Sequence, residues 1–391
     1  MRQSGRLADF FDTYTKDLKA EDLQRLFTRD TREAYHFFAR HLDFAALDHL
    51  PRHRRWAAKL RLLFFAFTLR LSPARRIVYG IALFMAAIGL FDLMRLRIAD
   101  AEIGHVTVIF PGVAVPSGVG SIVIAFVLMN LLVLLEVADR LSLKNDLEIA
   151  REIQQAMLPS GIYRADGVET FGLSRPANTV GGDFYDILPL GDGRLVIAVG
   201  DVTGKGSPAA LLMALLLAMM RTLVDEKLEP SELMTRLNVQ VVRHSPGSRF
   251  ITLFYGVFQP ATGELTYVNA GHMPPLVLRN GGRCERLTDG GIALGMFDAS
   301  VYTAGHTLLR PNDLVAVYSD GITEAENPAG QPFDDLGLES ALAANRDQAL
   351  PALGAAIVSA VEAHTGDTRF ADDLTILLLR PSVPAAATIV P

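Results

Sequence analysis

Apolar and polar positions change rhythm three times along this chain of 391 residues. Over the first fifty, charged and apolar side chains alternate in the helical manner, with Leu18, Leu23, Leu26, Phe27, Tyr35, Phe38 and Leu42 on the apolar positions and no candidate site among them. Two long apolar runs follow. Ile77–Phe91 carries no charge over fifteen residues, and Ser117–Leu135 is nearly pure apolar over nineteen. The second is long enough for a transmembrane helix. The first is short for a hydrocarbon core of about 30 Å, so the span must reach on to about Met94 or back through Ser72–Ala74. Pro111, Pro116 and several glycines predict a loop or re-entrant hairpin between them. Glu136–Leu158 then has high helix propensity up to the stop at Pro159-Ser160-Gly161. Leu143, Leu147, Ala150, Ile153 and Met157 recur there at spacings of three and four. This stripe predicts a connector helix that either pairs with a second copy or packs on its own domain.

After Pro159 the texture becomes short β-like runs punctuated by glycine. Leu195–Val202, Phe250–Phe258, Glu264–Asn269, Leu276–Arg279, Leu314–Ser319 and Leu374–Leu379 read as strands. Several are apolar on nearly every residue, which suits strands covered on both faces. Residues 208–228, 229–243 and 348–363 read as helices. Strands mostly follow one another at hairpin distances, so the pattern predicts stacked antiparallel sheets with helices outside.

Charge sets the orientation. No acidic residue occurs from Pro51 to Phe91, while Arg52, Arg54, Arg55, Lys59, Arg61, Arg70, Arg75 and Arg76 accumulate. Only Arg95 and Arg97 lie between the apolar runs, and Arg140, Lys144 and Arg151 follow the second. The excess of bases on the outer flanks predicts that both ends face the cytoplasm, with an external loop near residues 96–116. The polar N-terminus does not read as a secretory signal peptide. A net charge of −6, from 37 bases against 43 acids, argues against nucleic acid as a partner. One cysteine, Cys284, excludes an intramolecular disulfide and a multi-cysteine zinc site.

Four aspartates stand where predicted strands meet turns: Asp183 in Val180-Gly-Gly-Asp, Asp201 at the end of LVIAVGD, Asp320 at the end of LVAVYSD, and Asp372 in ADDLT. Carboxylates beside glycines, which let a ligand approach the backbone, suit hard cations such as Mg²⁺ or Mn²⁺.

The segments EIAREIQQAMLP, RPANTVGGDFYD, VGDVTGKGSPAALLMA, YVNAGHMPPLVL, YSDGITEAEN and FADDLTILLLR occur in this order over about residues 148–380. Together they resemble the bacterial PP2C (PPM) serine/threonine phosphatases of the RsbU/SpoIIE type. The resemblance implies an α+β fold, a four-layer β-sandwich of two antiparallel sheets flanked by helices, with two Mn²⁺ or Mg²⁺ ions at one end. Asp201 would bridge both ions and Val202 would offer its carbonyl; Asp320 and Asp372 would hold one ion, and Asp183 the second mainly through water. The implied reaction is attack of water on a phosphoserine or phosphothreonine of a partner protein, such as a STAS-domain anti-anti-sigma factor. Such enzymes of larger size bind phosphate with an N-terminal arginine that has no counterpart here; Arg175 is the nearest candidate and reads more simply as structural. The doublet Asp372-Asp373 leaves two carboxylates for one position, with the motif register favouring Asp372. His272 reads as a structural turn residue, and Asp186 and Glu324 as groups standing behind the metal ligands.

The expected organisation is a basic helical region over 1–75, two membrane spans over 76–135, the connector over 136–158, the phosphatase-like domain over 159–381 and a disordered tail over 382–391. It places a multi-pass protein in the inner membrane with its catalytic domain in the cytoplasm, and allows a homodimer through the connector. Two rivals differ in class. A diguanylate cyclase is suggested by Gly-Gly-Asp-Phe, yet Tyr185 follows where that signature needs a different order and no βαβ repeat precedes it. A non-catalytic membrane scaffold would have no use for four strand-end aspartates.

Overall fold

The computed structural model describes residues 51–69, 71–102, 117–165, 167–245, 247, 249–366 and 370–382. The expectations for the first fifty residues, the loop after 102 and the tail beyond 382 lie outside them. The chain divides into two units, Met1–Leu141 and Ser142–Pro391.

In the first unit α1 (Arg52–Thr68) and α2 (Pro73–Glu102) are separated by a short break, and α3 (Ser117–Met157) begins after the undescribed loop. Arg76 closes the break by donating to the carbonyls of Thr68, Leu69 and Leu71 at 3.1–3.3 Å, which satisfies the last carbonyls of α1. Small residues let α2 and α3 approach, since a Cβ on Gly89 would fall 2.6 Å from the Gly118 carbonyl oxygen. Arg75 ties the same two helices at their other end, 2.8 Å from Asp139 and 3.4 Å from Glu136. Ile77, Phe84, Phe91, Phe126 and Leu134 stay largely exposed, as side chains facing lipid would be. Three helices among the described residues are long and apolar enough to cross a membrane: Pro73–Met94, Gly118–Met157 and Ser207–Val224. The third belongs to the second unit, where Leu212, Met213, Leu216, Leu217 and Met220 are buried against a sheet. The predicted second span and connector are one unbroken helix of 41 residues, because no Gly or Pro interrupts the sequence between Ser121 and Met157.

The second unit runs β1 (Ile162–Ala165), β2 (Val168–Arg175), β3 (Phe184–Pro189), β4 (Leu195–Val202), α4 (Ser207–Val224), α5 (Pro230–His244), β5 (Ile251–Gln259) and β6 (Glu264–Ala270). It continues with β7 (Leu276–Leu278), β8 (Cys284–Arg286), β9 (Gly290–Gly291), β10 (Gly305–Leu308), β11 (Leu314–Tyr318), α6 (Asp320–Thr323), α7 (Asp334–Asn345), α8 (Leu350–Thr365) and β12 (Leu374–Pro381). One sheet has the order β1-β2-β12-β11-β7-β8, and the other β10-β6-β5-β4-β3 with β9 beside β6. All pairs are antiparallel except β6 with β9.

The continuous apolar runs are explained by what lies on each face. In β4, Ile197 and Val199 enter the core between the sheets, while Val196 and Ala198 enter the core under α4 and α5. In β12, Leu377 and Leu379 point between the sheets, and Ile376 and Leu378 toward α7 and α8. Helix, sheet, sheet and helix form four layers, as expected. The strands β1 to β3 and β8 to β10, and the helices α6 and α7, were not expected. β1 is only four residues long and mostly exposed, and β2 buries only alternate residues, so neither stands out as an apolar run.

Ile197→Ala or Leu377→Ala in a fragment spanning 142–382 is expected to lower the unfolding free energy by about 2–5 kcal/mol. Leu336→Ala, at a side chain that is 70% exposed, should stay within about 0.5 kcal/mol. Urea denaturation measures both.

Candidate metal centre

β4 delivers Asp201 at its last turn of pleat, the loop before β3 delivers Asp183, α6 opens with Asp320, and Asp372 and Asp373 precede β12. All lie at one end of the sandwich, as the pairing of Asp201 with Thr252 and of Leu374 with Arg175 requires. Glycines shape the approach. A Cβ on Gly182 would stand 2.8 Å from the Val202 carbonyl oxygen and 3.4 Å from Asp201 Oδ1, so only glycine leaves that carbonyl open.

The two neighbouring aspartates do different work. Asp373 is buried, and its Oδ1 and Oδ2 accept from the backbone N–H groups of Ala177 and Gly182, each at 2.7 Å. It clamps the Gly181-Gly182-Asp183 loop in place. Asp372 is half-exposed and faces Lys205, whose Nζ is 2.8 Å from its Oδ2. Its Oδ1 accepts from Asp373 N–H at 2.9 Å, so of the two neighbours Asp372 is the one on the open side and Asp373 the one turned into the protein.

Electrostatics report crowding. Asp183 is held well above the usual carboxylate range by burial and by the charges of Asp201 and Asp373. Asp201 is pushed up to about 6 by burial and by the charge of Asp320. Asp320 is raised by burial and by Asp372. Each shift states that the charged forms oppose one another in a desolvated place. One buried oxygen of Asp183, Oδ2, has no hydrogen-bond partner. Among the described residues no three acidic, His or Cys side chains already stand at ligating spacing. The donors nevertheless fit hard divalent cations: oxygen ligands only, an orphaned buried carboxylate oxygen, an open carbonyl and mutual repulsion that positive charge relieves.

Other candidates separate clearly. Asp186 is buried on β3 and pairs with Arg221 at 2.8 Å, and Arg221 also donates to the Met157 carbonyl at 2.7 Å. It anchors the end of α3 and does not stand behind the metal ligands, which corrects that expectation. Glu324 is exposed and adds its charge to Asp320. Arg175 pairs with Glu362 and lies over the Phe370 ring at 5.2 Å, a structural role. His272 is buried, lowered to about 4 by desolvation, and hydrogen-bonded through Nδ1 to Thr252 Oγ1 at 2.9 Å. It is neutral and structural. The Cys284 thiol on β8 is pushed up by burial and by Glu339, so it is a poor nucleophile.

Sequence reasoning missed Gln154. Its buried amide pairs with the Gly181 peptide, donating to the carbonyl at 2.8 Å and accepting from the N–H at 3.2 Å. Within the expected stripe on α3, Leu147, Ala150 and Met157 are half-buried, whereas Leu143 and Ile153 are exposed. The buried Gln154 takes the place expected of Ile153, and a polar residue within an apolar pattern was the available signal.

Two antiparallel sheets between helix layers, with carboxylates gathered at one end, define a PP2C-type domain. The SiaA-PP2C domain of Pseudomonas aeruginosa has this fold, with a TM-score of 0.55 and 22% identity over 62% of this chain and 98% of that one. Residues 191–382 match the family Stage II sporulation protein E (SpoIIE), and over this stretch the chain is similar to the RsbU/SpoIIE class of bacterial PP2C-type proteins. Among curated relatives, Protein IcfG of Synechocystis sp. is 31% identical over 51% of this chain and 36% of its own length. Phosphoserine phosphatase RsbU of Bacillus subtilis is 30% identical over 48% of this chain and 56% of its own. The chain thus spans roughly a third to a half of these relatives.

Two outcomes follow from the crowding and the clamp. The raised Asp201 binds its proton more tightly folded than unfolded, so its contribution to stability is present below about pH 4 and lost as pH rises through about 6. In the metal-free fragment, Asp201→Asn should therefore raise Tm at pH 7 by about 2–4 °C and change it little at pH 4. Scanning calorimetry at the two pH values checks this, and a variant no more stable than wild type at pH 7 removes the repulsion argument. Gln154→Leu leaves both groups of the Gly181 peptide unpaired and should cost about 1–3 kcal/mol. Its metal titration by calorimetry should weaken as the loop carrying Asp183 loosens.

Proposed function

We propose that the domain over 159–381 hydrolyses phosphoserine or phosphothreonine on a partner protein, using two Mn²⁺ or Mg²⁺ ions held by Asp183, Asp201, the Val202 carbonyl, Asp320 and Asp372. The observation that carries this reading is the gathering of repelling carboxylates around an open backbone carbonyl at one end of the sandwich. The cations would lower the pKa of the attacking water and neutralise phosphoryl charge. The chain's own residues do the positioning. Asp201, near the end of a strand buried on both faces, would sit between the two ions. Asp373 and Gln154 hold the loop that aims Asp183. Lys205 balances the outer oxygen of Asp372. Water displaces the serine or threonine oxygen from phosphorus, so no covalent phosphoenzyme forms, consistent with a thiol and an imidazole that are both placed for structure.

We place α2 and the apolar half of α3 in the inner membrane with both ends in the cytoplasm, on the strength of their length and the flanking bases. The domain would then meet a cytoplasmic substrate. The relatives named phosphoserine phosphatases support a phosphoserine substrate, and the resemblance of the six sequence segments to the RsbU/SpoIIE type is what suggests a partner of the anti-anti-sigma kind. Exposed Leu143, Ile149 and Ile153 on α3 are the side chains a second copy would cover in a homodimer through the connector.

The fragment 142–382 should hydrolyse p-nitrophenyl phosphate only with Mn²⁺ or Mg²⁺ added. Asp201→Asn and Asp320→Asn should each lower kcat by more than the roughly 10–100-fold typical of residues behind a metal ligand. Cys284→Ser should leave kcat within about twofold of wild type, as expected for a side chain with no part in catalysis. Full activity after dialysis against EDTA, or an inactive folded Cys284→Ser, would overturn the reading.

A further inference from the structure

Between β9 and β10 the chain forms a loop that keeps large apolar side chains in water while its backbone is tightly fixed. Ile292 is 42% exposed, Met296 47% and Phe297 63%. Beneath them Asn238 of α5 is fully buried and makes three hydrogen bonds to this loop. Its Nδ2 donates to the carbonyls of Phe297 and Asp298 at 2.9 and 3.3 Å, and its Oδ1 accepts from Gly295 N–H at 2.9 Å. Gly295 has φ +87°, and a Cβ there would fall 2.8 Å from Val241 Cγ1, so the turn is pressed onto α5. Leu294 exchanges both backbone hydrogen bonds with Ile251 at 2.8 and 2.9 Å. A buried asparagine spent on holding an exposed Met-Phe pair marks a preformed contact surface rather than a stray apolar side chain.

Its place says what it contacts. Ile251 pairs with Val202 on one side and Leu294 on the other, so the loop stands two strand spacings, about 10 Å, from the candidate metal centre. A partner protein burying about 800 Å² covers a disc roughly 16 Å in radius, so a protein centred on Asp201 and Asp320 reaches the loop that carries Met296 and Phe297. Cations belong to the neighbouring segments: Lys205 beside Asp372, Arg249 donating to the Thr203 carbonyl at 2.9 Å, and exposed Arg243 at the end of α5. Basic groups next to the carboxylates and an apolar platform beyond them complement a partner that bears a phosphate beside an apolar face.

We propose that Ile292, Met296 and Phe297 form the docking surface for the phosphoprotein substrate and select partners with apolar side chains flanking the phosphorylated residue. This rests on the phosphatase reading above and adds to it the character of the substrate's surface. Two synthetic phosphoserine peptides of about twelve residues, ~40 Å when extended, test it. They are identical except that one carries Leu and Phe on both flanks where the other carries Ser. The full chain in detergent micelles with Mn²⁺ should show about tenfold higher kcat/KM for the apolar peptide, expressed in KM. Met296→Ser with Phe297→Ser should erase that preference and leave p-nitrophenyl phosphate turnover unchanged, while Phe297→Leu should keep most of it. Equal kcat/KM for the two peptides, or a preference surviving in the double serine variant, overturns the proposal. So does a wild-type oligomer, seen by sedimentation, that the double variant dissociates, because a second copy then occupies the surface. Failure of the wild type to hydrolyse p-nitrophenyl phosphate at all would instead strike the phosphatase reading itself.

Discussion

Repulsion among Asp183, Asp201, Asp320 and Asp372 is the constraint around which the second unit is arranged. Two unit charges about 5 Å apart at an effective dielectric near 20 oppose each other by about 3 kcal/mol. Several such pairs would splay an unsupported set of loops. The sandwich prevents this by attaching each carboxylate to an element that cannot move away. Asp201 ends a strand buried on both faces, Asp320 opens a helix capping β11, and Asp372 leads directly into β12. The inter-sheet core of Phe254, Phe258, Ile197, Val199, Val315, Val317, Leu377 and Leu379 opposes the electrostatic strain.

The polar groups around the centre have a division of labour that follows from the same constraint. Asp373 uses its charge on two peptide N–H groups, so it adds negative potential to the cluster but is itself fully engaged. Gln154 accomplishes a similar fixation with a neutral amide, from the side of α3. Together they hold the Gly-Gly-Asp loop at two adjacent peptides, Gly181 and Gly182. Arg221 joins Asp186 to the Met157 carbonyl and so fixes where α3 ends relative to β3.

Much of this was legible in the sequence because the relevant signals were local. The strands β4, β5, β11 and β12 are apolar on both faces and announce themselves as unbroken runs, each ending near an aspartate or a glycine turn. The apolar length of α2 and α3 was equally plain. What escaped notice depends on contacts between distant segments. β1 and β2 are recognisable only once β12 is beside them, since their own pattern is half polar. The role of Asp373 depends on Ala177 and Gly182, almost two hundred residues earlier, and nothing in the doublet Asp372-Asp373 tells which member is turned inward. Asp186 looked like part of the centre because it is three residues from Asp183; along a strand that distance carries it to the opposite face and up the sheet, toward Arg221.

Because Asp201 terminates β4, the centre is built on the part of the domain that opens last. β4 lies between β3 and β5, is covered by apolar layers above and below, and has its amides in continuous ladders on both edges. Its exchange with solvent deuterium is therefore expected to require global unfolding, and the residue on which the proposed chemistry is centred shares that protection.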